Sequence, residues 1–170
     1  MYQVNDTVLY GCDGVCLVSD ITHRSKDDPD RLYYVLKPIK DPRATIYVPT
    51  DNEKALSHVR PTMSRHRIYE IIRSVSSLEC IHIENEMQRK TLYAQILRSG
   101  DPLRIARLIK TLRLRRDELE QRGRRLHSVD EVYLKKAEEL LFEEVSHVLS
   151  IQIDEVLPLI RSGVPDPLPE

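Results

Sequence analysis

The sequence predicts a segregated α+β protein: a small, strongly bent β-barrel over residues 1–62, an all-α helical bundle over 63–161, and a disordered tail over 162–170. Three observations predict it. Up to Pro61 the chain carries short runs of β-branched and aromatic residues broken by Gly, Pro and Asp. Beyond Pro61 the apolar residues recur at helical spacing. The tail SGVPDPLPE holds three prolines and no apolar run. The chain of 170 residues is 41% apolar, which suits one domain or two small ones with a core each.

In the first domain, Thr7–Tyr10 is a short strand, and Gly11 with Asp13-Gly14 marks a turn. Val15–His23 follows, with Val15, Leu17 and Ile21 pointing one way. The polar run Arg24–Arg31, rich in Asp, is a loop. Leu32–Ile39 and Ala44–Val48 are the richest in β-forming residues, with Asp41-Pro42 turning between them and Pro49 ending the second. A last strand falls at His58–Arg60. Four or five such strands leave too little interior for a large ligand, so the expected use of the barrel is to present an edge or a loop to a partner.

In the second domain, Ser64 caps a helix over Arg65–Ser74 whose apolar side is Ile68, Ile71 and Ile72, and Ser76-Ser77 breaks it. A second helix runs over Glu84–Ser99 with Tyr93, Ile96 and Leu97 buried, and Gly100 stands where a left-handed C-cap is wanted. The third opens at Asp101-Pro102, an N-cap followed by proline at the first helical position. Its stripe Ile105, Leu108, Ile109, Leu112 faces inward, and Arg104, Arg107 and Lys110 face outward. Arg116 falls on the apolar side, so a carboxylate partner is expected for it. Ser128-x-x-Glu131 reads as a capping box for a helix to about Leu149, striped by Tyr133, Ala137, Leu140, Leu141, Val145 and Val148. The pairs Glu138-Glu139 and Glu143-Glu144 are expected on its solvent face. A short helix between Ile153 and Arg161 contains Pro158.

Charge is unevenly spread. Residues 1–62 carry 8 basic and 9 acidic groups, residues 63–127 carry 15 and 8, and residues 128–170 carry 3 and 10. The stretch Leu103–Arg125 alone holds eight arginines and one lysine against three acids. Such a surface suits a polyanion, above all nucleic acid. It equally suits a solvated helix face, or neutralisation by the acidic end of the chain.

Other chemistry finds little support. Cys12 and Cys16 flank a turn, and Cys80 and His82 are the only other close pair of soft ligands, so no metal is expected. An odd number of cysteines argues against a disulfide framework. Neither a phosphate loop, a nucleophile elbow nor a dinucleotide fingerprint occurs, so no cofactor and no enzyme activity are expected. The absence of a long apolar run and of a signal-like N-terminus leads to the expectation of a cytoplasmic, membrane-free, monomeric protein.

The segments VNDTVLYGCDGVCLV, YYVLKPI, ATIYVPTDN and VRP resemble, in order and spacing, the N-terminal domain of the CarD/CdnL family of bacterial transcription regulators. That domain is similar to the RNA polymerase-interacting domain of the transcription-repair coupling factor. SGDPLRIARLIKTLRLR and LHSVDEVYLKKAEELLFEEV resemble segments of the family's helical domain. The resemblance implies a Tudor-like (SH3-like) barrel that docks on the polymerase β subunit. It places Arg24 at one basic contact position and Tyr47 at a second, where relatives often have arginine. Thr45, Ile46 and Tyr47 form the edge for strand addition. It also implies that the helical domain touches promoter DNA, largely without sequence preference, at the upstream edge of the bubble and modulates open-complex stability. Arg89 and Lys90, with Arg65, Arg67, Arg104 and Arg107, are the expected phosphate contacts. Where relatives insert a tryptophan wedge, this chain has Glu86, with Ile83 and Met87 the nearby apolar candidates. A protein–protein adaptor without DNA contact is the second reading.

Overall fold

The computed structural model describes residues 1–23 and 30–163. The chain divides into two compact units, Met1–Thr62 and Met63–Glu170. The expected tail over 162–170 lies outside the described residues from position 164 onward, while Ser162 still belongs to a helix.

The first unit is one antiparallel sheet of five strands: β1 (Thr7–Tyr10), β2 (Gly14–His23), β3 (Leu32–Pro38), β4 (Ile46–Pro49) and β5 (Val59–Pro61). Their order is β4-β3-β2-β1-β5, so β4 and β5 are the edges. β1 and β2 pair directly, from Thr7↔Leu17 to Tyr10↔Gly14, and a three-residue turn closes them. In that turn Asp13 N–H donates to Tyr10 O at 2.9 Å, and Gly14, the first residue of β2, has the positive φ of +81° that a side chain disfavours.

The sheet curls around Val8, Cys16, Val18, Tyr34, Leu36, Val48 and Val59, a cluster fed by all five strands. Tyr2 lies across this face. Its N–H donates to Tyr34 Oη (3.2 Å) and its own hydroxyl donates to Val59 O (3.3 Å), tying β3 to β5. Flat, those strands would stand about 14 Å apart, so curvature is what lets one tyrosine span them. The register shifts between Val18 and Asp20, leaving Ser19 as a bulge. This corrects one expectation: Val15 and Leu17 share a face, but the extra residue turns Ile21 to the other one, where it packs on the inner cluster. A short helix, α1 (Glu53–Leu56), capped by Asn52 Oδ1 on Ala55 N–H (3.0 Å), was too short to show a period.

The second unit is a helical bundle: α2 (Arg65–Ser74), followed by a 3₁₀ turn at Val75–Ser77, then α3 (Glu86–Ser99), α4 (Pro102–Gln121), α5 (Ser128–Leu149) and α6 (Ile153–Ser162). All share one core. The caps follow the sequence at three helices: Ser64 Oγ accepts from Arg67 N–H, Asp101 Oδ1 accepts from Leu103 and Arg104 N–H, and Gly100 takes φ +62°. α5 differs. Ser128 is its first residue rather than its cap, and His127 Nδ1 accepts from Val129 N–H at 3.4 Å.

The stripe of α4 is buried as expected, together with Ala106 and Thr111. Thr111 is fully used: its hydroxyl accepts from Ile81 N–H (3.0 Å) and donates to Arg107 O (2.8 Å). The acidic pairs of α5 are not on a solvent face. Glu144 is 1% exposed and accepts the Met63 N–H at 2.8 Å, and Glu138 is half-buried against Arg113. A carboxylate is admitted there because it gains a charge-assisted partner. Among the described residues no helix is long and apolar enough to cross a membrane.

Candidate functional site

The edge of the sheet formed by β4 is built by sequence and register together. Thr50 N–H donates to Leu32 O at 3.0 Å. Antiparallel alternation then turns the backbones of Val48 and Ile46 toward β3 and that of Tyr47 toward the outer side, while Thr45, expected inside the strand, lies one residue before it. The side chains alternate as well. Val48 is buried in the inner cluster and Ile46 packs against it, whereas Tyr47 and Thr45 are exposed. Ile46 therefore serves the barrel core, Tyr47 is presented at the edge, and Thr45 is exposed just before it. Arg24, the first expected contact, lies outside the described residues. At the end of β4, Arg31 pairs with Asp51 (2.9 Å) and stands over the Tyr33 ring, 5.6 Å from its centroid.

The basic residues of the helical unit separate into two groups. The first is neutralised internally. Arg89 is 5% exposed; its Nε faces Asp130 Oδ1 at 3.3 Å and its Nη1 donates to Glu84 O (2.6 Å) and Ile83 O (3.3 Å). This corrects the expectation that Arg89 contacts phosphate: its donors are spent inside the bundle, holding the lead-in to α3. Arg115 approaches the other oxygen of Asp130 at 3.8 Å, and Arg113 pairs with Glu138 at 2.5 Å. Three arginines of α3 and α4 are thus matched by two acids of α5. Arg116, half-buried, finds its carboxylate on its own helix, Glu120 at 3.9 Å. Lys90 pairs with Glu86 (3.2 Å), and Arg67 with Glu70 (3.0 Å).

The second group keeps its charge. Arg65 and Arg104 are exposed and have no acidic partner among the described residues. Arg107 and Lys110 point outward but are fastened to backbone. Arg107 Nε donates to Glu79 O (2.6 Å), and Lys110 Nζ donates to Ser76 O and Leu78 O (2.7 and 2.8 Å). Lys110 thus sits against carbonyls at the end of the 3₁₀ turn that follows α2, where the helix dipole is negative, and Arg107 sits against a carbonyl of the segment beyond it. Carbonyl contacts solvate a cation without cancelling it, so both residues still present positive charge.

Glu86 opens α3. Its carboxylate bonds to Lys90 and lies 3.5 Å from His127 Nε2. The Lys90 hydrogen bond, with His127 and Arg89 near, holds its carboxyl below the usual range. Beside it Met87 is 71% exposed, an apolar side chain left in water on the first turn of the helix. Ile83 is half-buried. None of the three cysteines is in a disulfide: Cys16 is in the barrel core, Cys12 is exposed at the turn and Cys80 is half-buried in the helical unit. Among the described residues no cluster of three or more His, Cys, Asp or Glu side chains is placed to hold a metal ion.

Comparison with protein families matches residues 2–61 to the CarD-like/TRCF RID domain and residues 67–161 to the CarD C-terminal domain. The chain belongs to the CarD family. It is a transcription-associated protein that interacts with RNA polymerase, and the domains of this family are interaction and regulatory modules. A search of curated proteins finds no match. For a CarD-family chain, the terminal β4 edge of the sheet and the charged face of α4 are the two features that geometry singles out. Sequence reasoning missed the buried Asp130, which spacing alone presents as one more first-turn acid of a helix. Only the packing of α3 and α4 against it reveals its role.

Proposed function

We propose that this CarD-family chain binds the β subunit of RNA polymerase through the outer edge of β4, at Thr45 and Tyr47, with Arg24 as the further contact that the family resemblance implies. Its helical unit touches promoter DNA near the upstream edge of the bubble and changes the lifetime of the open complex. The observation that carries this reading is the presence in one chain of both family domains, the first with β4 as a terminal strand of its sheet and the second with cations that have no acidic partner among the described residues. Strand addition at an edge draws affinity from main-chain hydrogen bonds, so the loss of an ionic contact at Tyr47, where relatives often have arginine, is tolerable. The regulatory effect arises from differential binding: contacts made in one promoter state shift the equilibrium toward it. Arginines on phosphate position a protein without reading bases, so sequence preference is weak. Met87 is the apolar side chain offered where relatives insert a wedge, and Glu86 beside it opposes close approach to phosphate.

A second reading, a protein–protein adaptor, is favoured by the pairing of Arg89, Arg113 and Arg115 with acids of α5. Duplex binding by the full chain across a salt series separates the two. The DNA reading expects log K to fall linearly with log salt, at a slope of about −0.9 per phosphate contacted. No binding at low salt leaves the adaptor. For the anchor, Tyr47→Pro removes one outward donor while sparing the β3 ladder. Capture of the β subunit should fall, and unchanged capture places the interface elsewhere. Open-complex lifetime with and without the protein gives the sign of regulation.

A further inference from the structure

A hollow of about 260 Å³ lies between α3, α4 and the segment that joins the 3₁₀ turn to α3. Cys80, Ile81, His82, Leu92, Ile96, Arg104 and Arg107 line it, and no acid is among them. We propose that this hollow is a phosphate seat, formed by Arg104, Arg107 and His82, that takes a phosphate group either from a nucleic-acid backbone or from a free nucleotide. The inference goes beyond the DNA reading, because the second source needs no duplex.

The site is built rather than incidental. Arg107 is held through its Nε on Glu79 O, which leaves its two terminal amino groups as a fork of fixed direction. A fork of that kind matches two oxygens of one phosphate. Arg104 stands three residues earlier on the same helix and therefore on the same face. The segment carrying His82 is itself pinned, since Ile81 N–H donates to Thr111 Oγ1. None of His82, Arg104 and Arg107 has an acidic partner among the described residues, whereas Arg67, Arg89, Lys90, Arg113, Arg115 and Arg116 each have one. Ile81, Leu92 and Ile96 supply an apolar wall, where a charge–charge contact is worth more than in open water. The volume equals that of about eight or nine waters, enough for a phosphate group with part of its hydration. The remaining donors at the start of α4 are already taken by Asp101, so the side chains are the recognition elements.

The test is calorimetric titration of inorganic pyrophosphate into the full chain at low salt. Arg104→Gln is the first variant, because Arg104 is exposed and supports nothing in the fold; Arg107→Lys is the second, keeping charge but losing the fork. Binding by the parent chain, weakened about tenfold or more in both variants at unchanged Tm, is the expected result. Displacement of pyrophosphate by duplex DNA then assigns the seat to the nucleic-acid backbone. Displacement by a nucleoside triphosphate but not by duplex assigns it to a free nucleotide. No binding by the parent chain, or equal binding by Arg104→Gln and Arg107→Lys, overturns the proposal. Pyrophosphate binding without any duplex binding would retain the seat and remove the DNA reading, so the two fail separately.

Discussion

Replacing Arg89 by methionine tests how the helical unit is held together. Asp130 is fully buried, and its Oδ2 accepts no hydrogen bond among the described residues. Arg89, itself nearly buried, is its close cationic partner at 3.3 Å, while Arg115 stands at 3.8 Å with its side chain 42% exposed. Methionine keeps most of the aliphatic volume and deletes the charge. What remains is a buried carboxylate with one distant, partly solvated counter-ion. Breaking a buried pair from one side costs about 3–5 kcal/mol. The carbonyls of Ile83 and Glu84 also lose a donor, but Glu84 is exposed and water can replace it. For a unit of this size each kcal/mol moves Tm by about 4–8 °C, so a fall of at least about 12 °C is expected. Far-UV circular dichroism of the full chain during heating and in urea reads it. The double variant Arg89→Met/Asp130→Asn removes both charges, and its loss should be smaller than the single loss by about 2 kcal/mol. If Arg89→Met lies within about 1 kcal/mol of the parent chain, or the cycle is additive, the pair does not hold α3 on α5.

Other outcomes follow from the same contacts. Glu144→Ala should cost about 1–3 kcal/mol in urea titration, because it orphans the buried Met63 N–H, and Glu144→Gln should restore most of it. Gly100→Ala forces a Cβ into the left-handed C-cap of α3 at φ +62° and should lower stability by about 1 kcal/mol in the same assay. Tyr93 is buried beside Tyr133, and burial, with the Asp130 charge near, raises its phenol above the ordinary value of 10.0. The unfolded chain therefore loses that proton first. Stability is full below pH 10 and falls as pH rises through the raised value. A tyrosinate absorbance titration should show Tyr93→Phe removing a phenol that titrates above the ordinary value; an unchanged profile would refute its assignment.

Much of the fold was legible in the sequence because its signals are local. Arg65–Ser74 and Thr7–Tyr10 are bounded as their caps and turns dictate, and Asp101-Pro102 opens α4 as written. Such signals depend on a few neighbouring residues, and their physics acts before the chain is packed. Where a reading failed, the cause was distant. The bulge at Ser19 is invisible in a period of two, and it moved Ile21 across the sheet. The acid pairs of α5 look like a solvent face by charge alone, yet Glu144 is drawn inside by a backbone donor 81 residues away. Ser128 lost the cap of α5 to His127 by one position, a shift within reach of competing side chains at a helix start.

The candidate sites divide the same way. The sequence by itself determined that there would be a small β unit with an edge, a helical unit with a basic middle, and a family whose motifs run through both. It could count the arginines but not say which ones are spent. Tertiary structure decided that Arg89 is an internal counter-ion, that Arg113 and Arg115 answer the acids of α5, and that Arg104 and Arg107 keep their charge beside a hollow. The reason is electrostatic: a charge acts on a partner only when no nearer opposite charge has claimed it, and which charges are near is settled by packing.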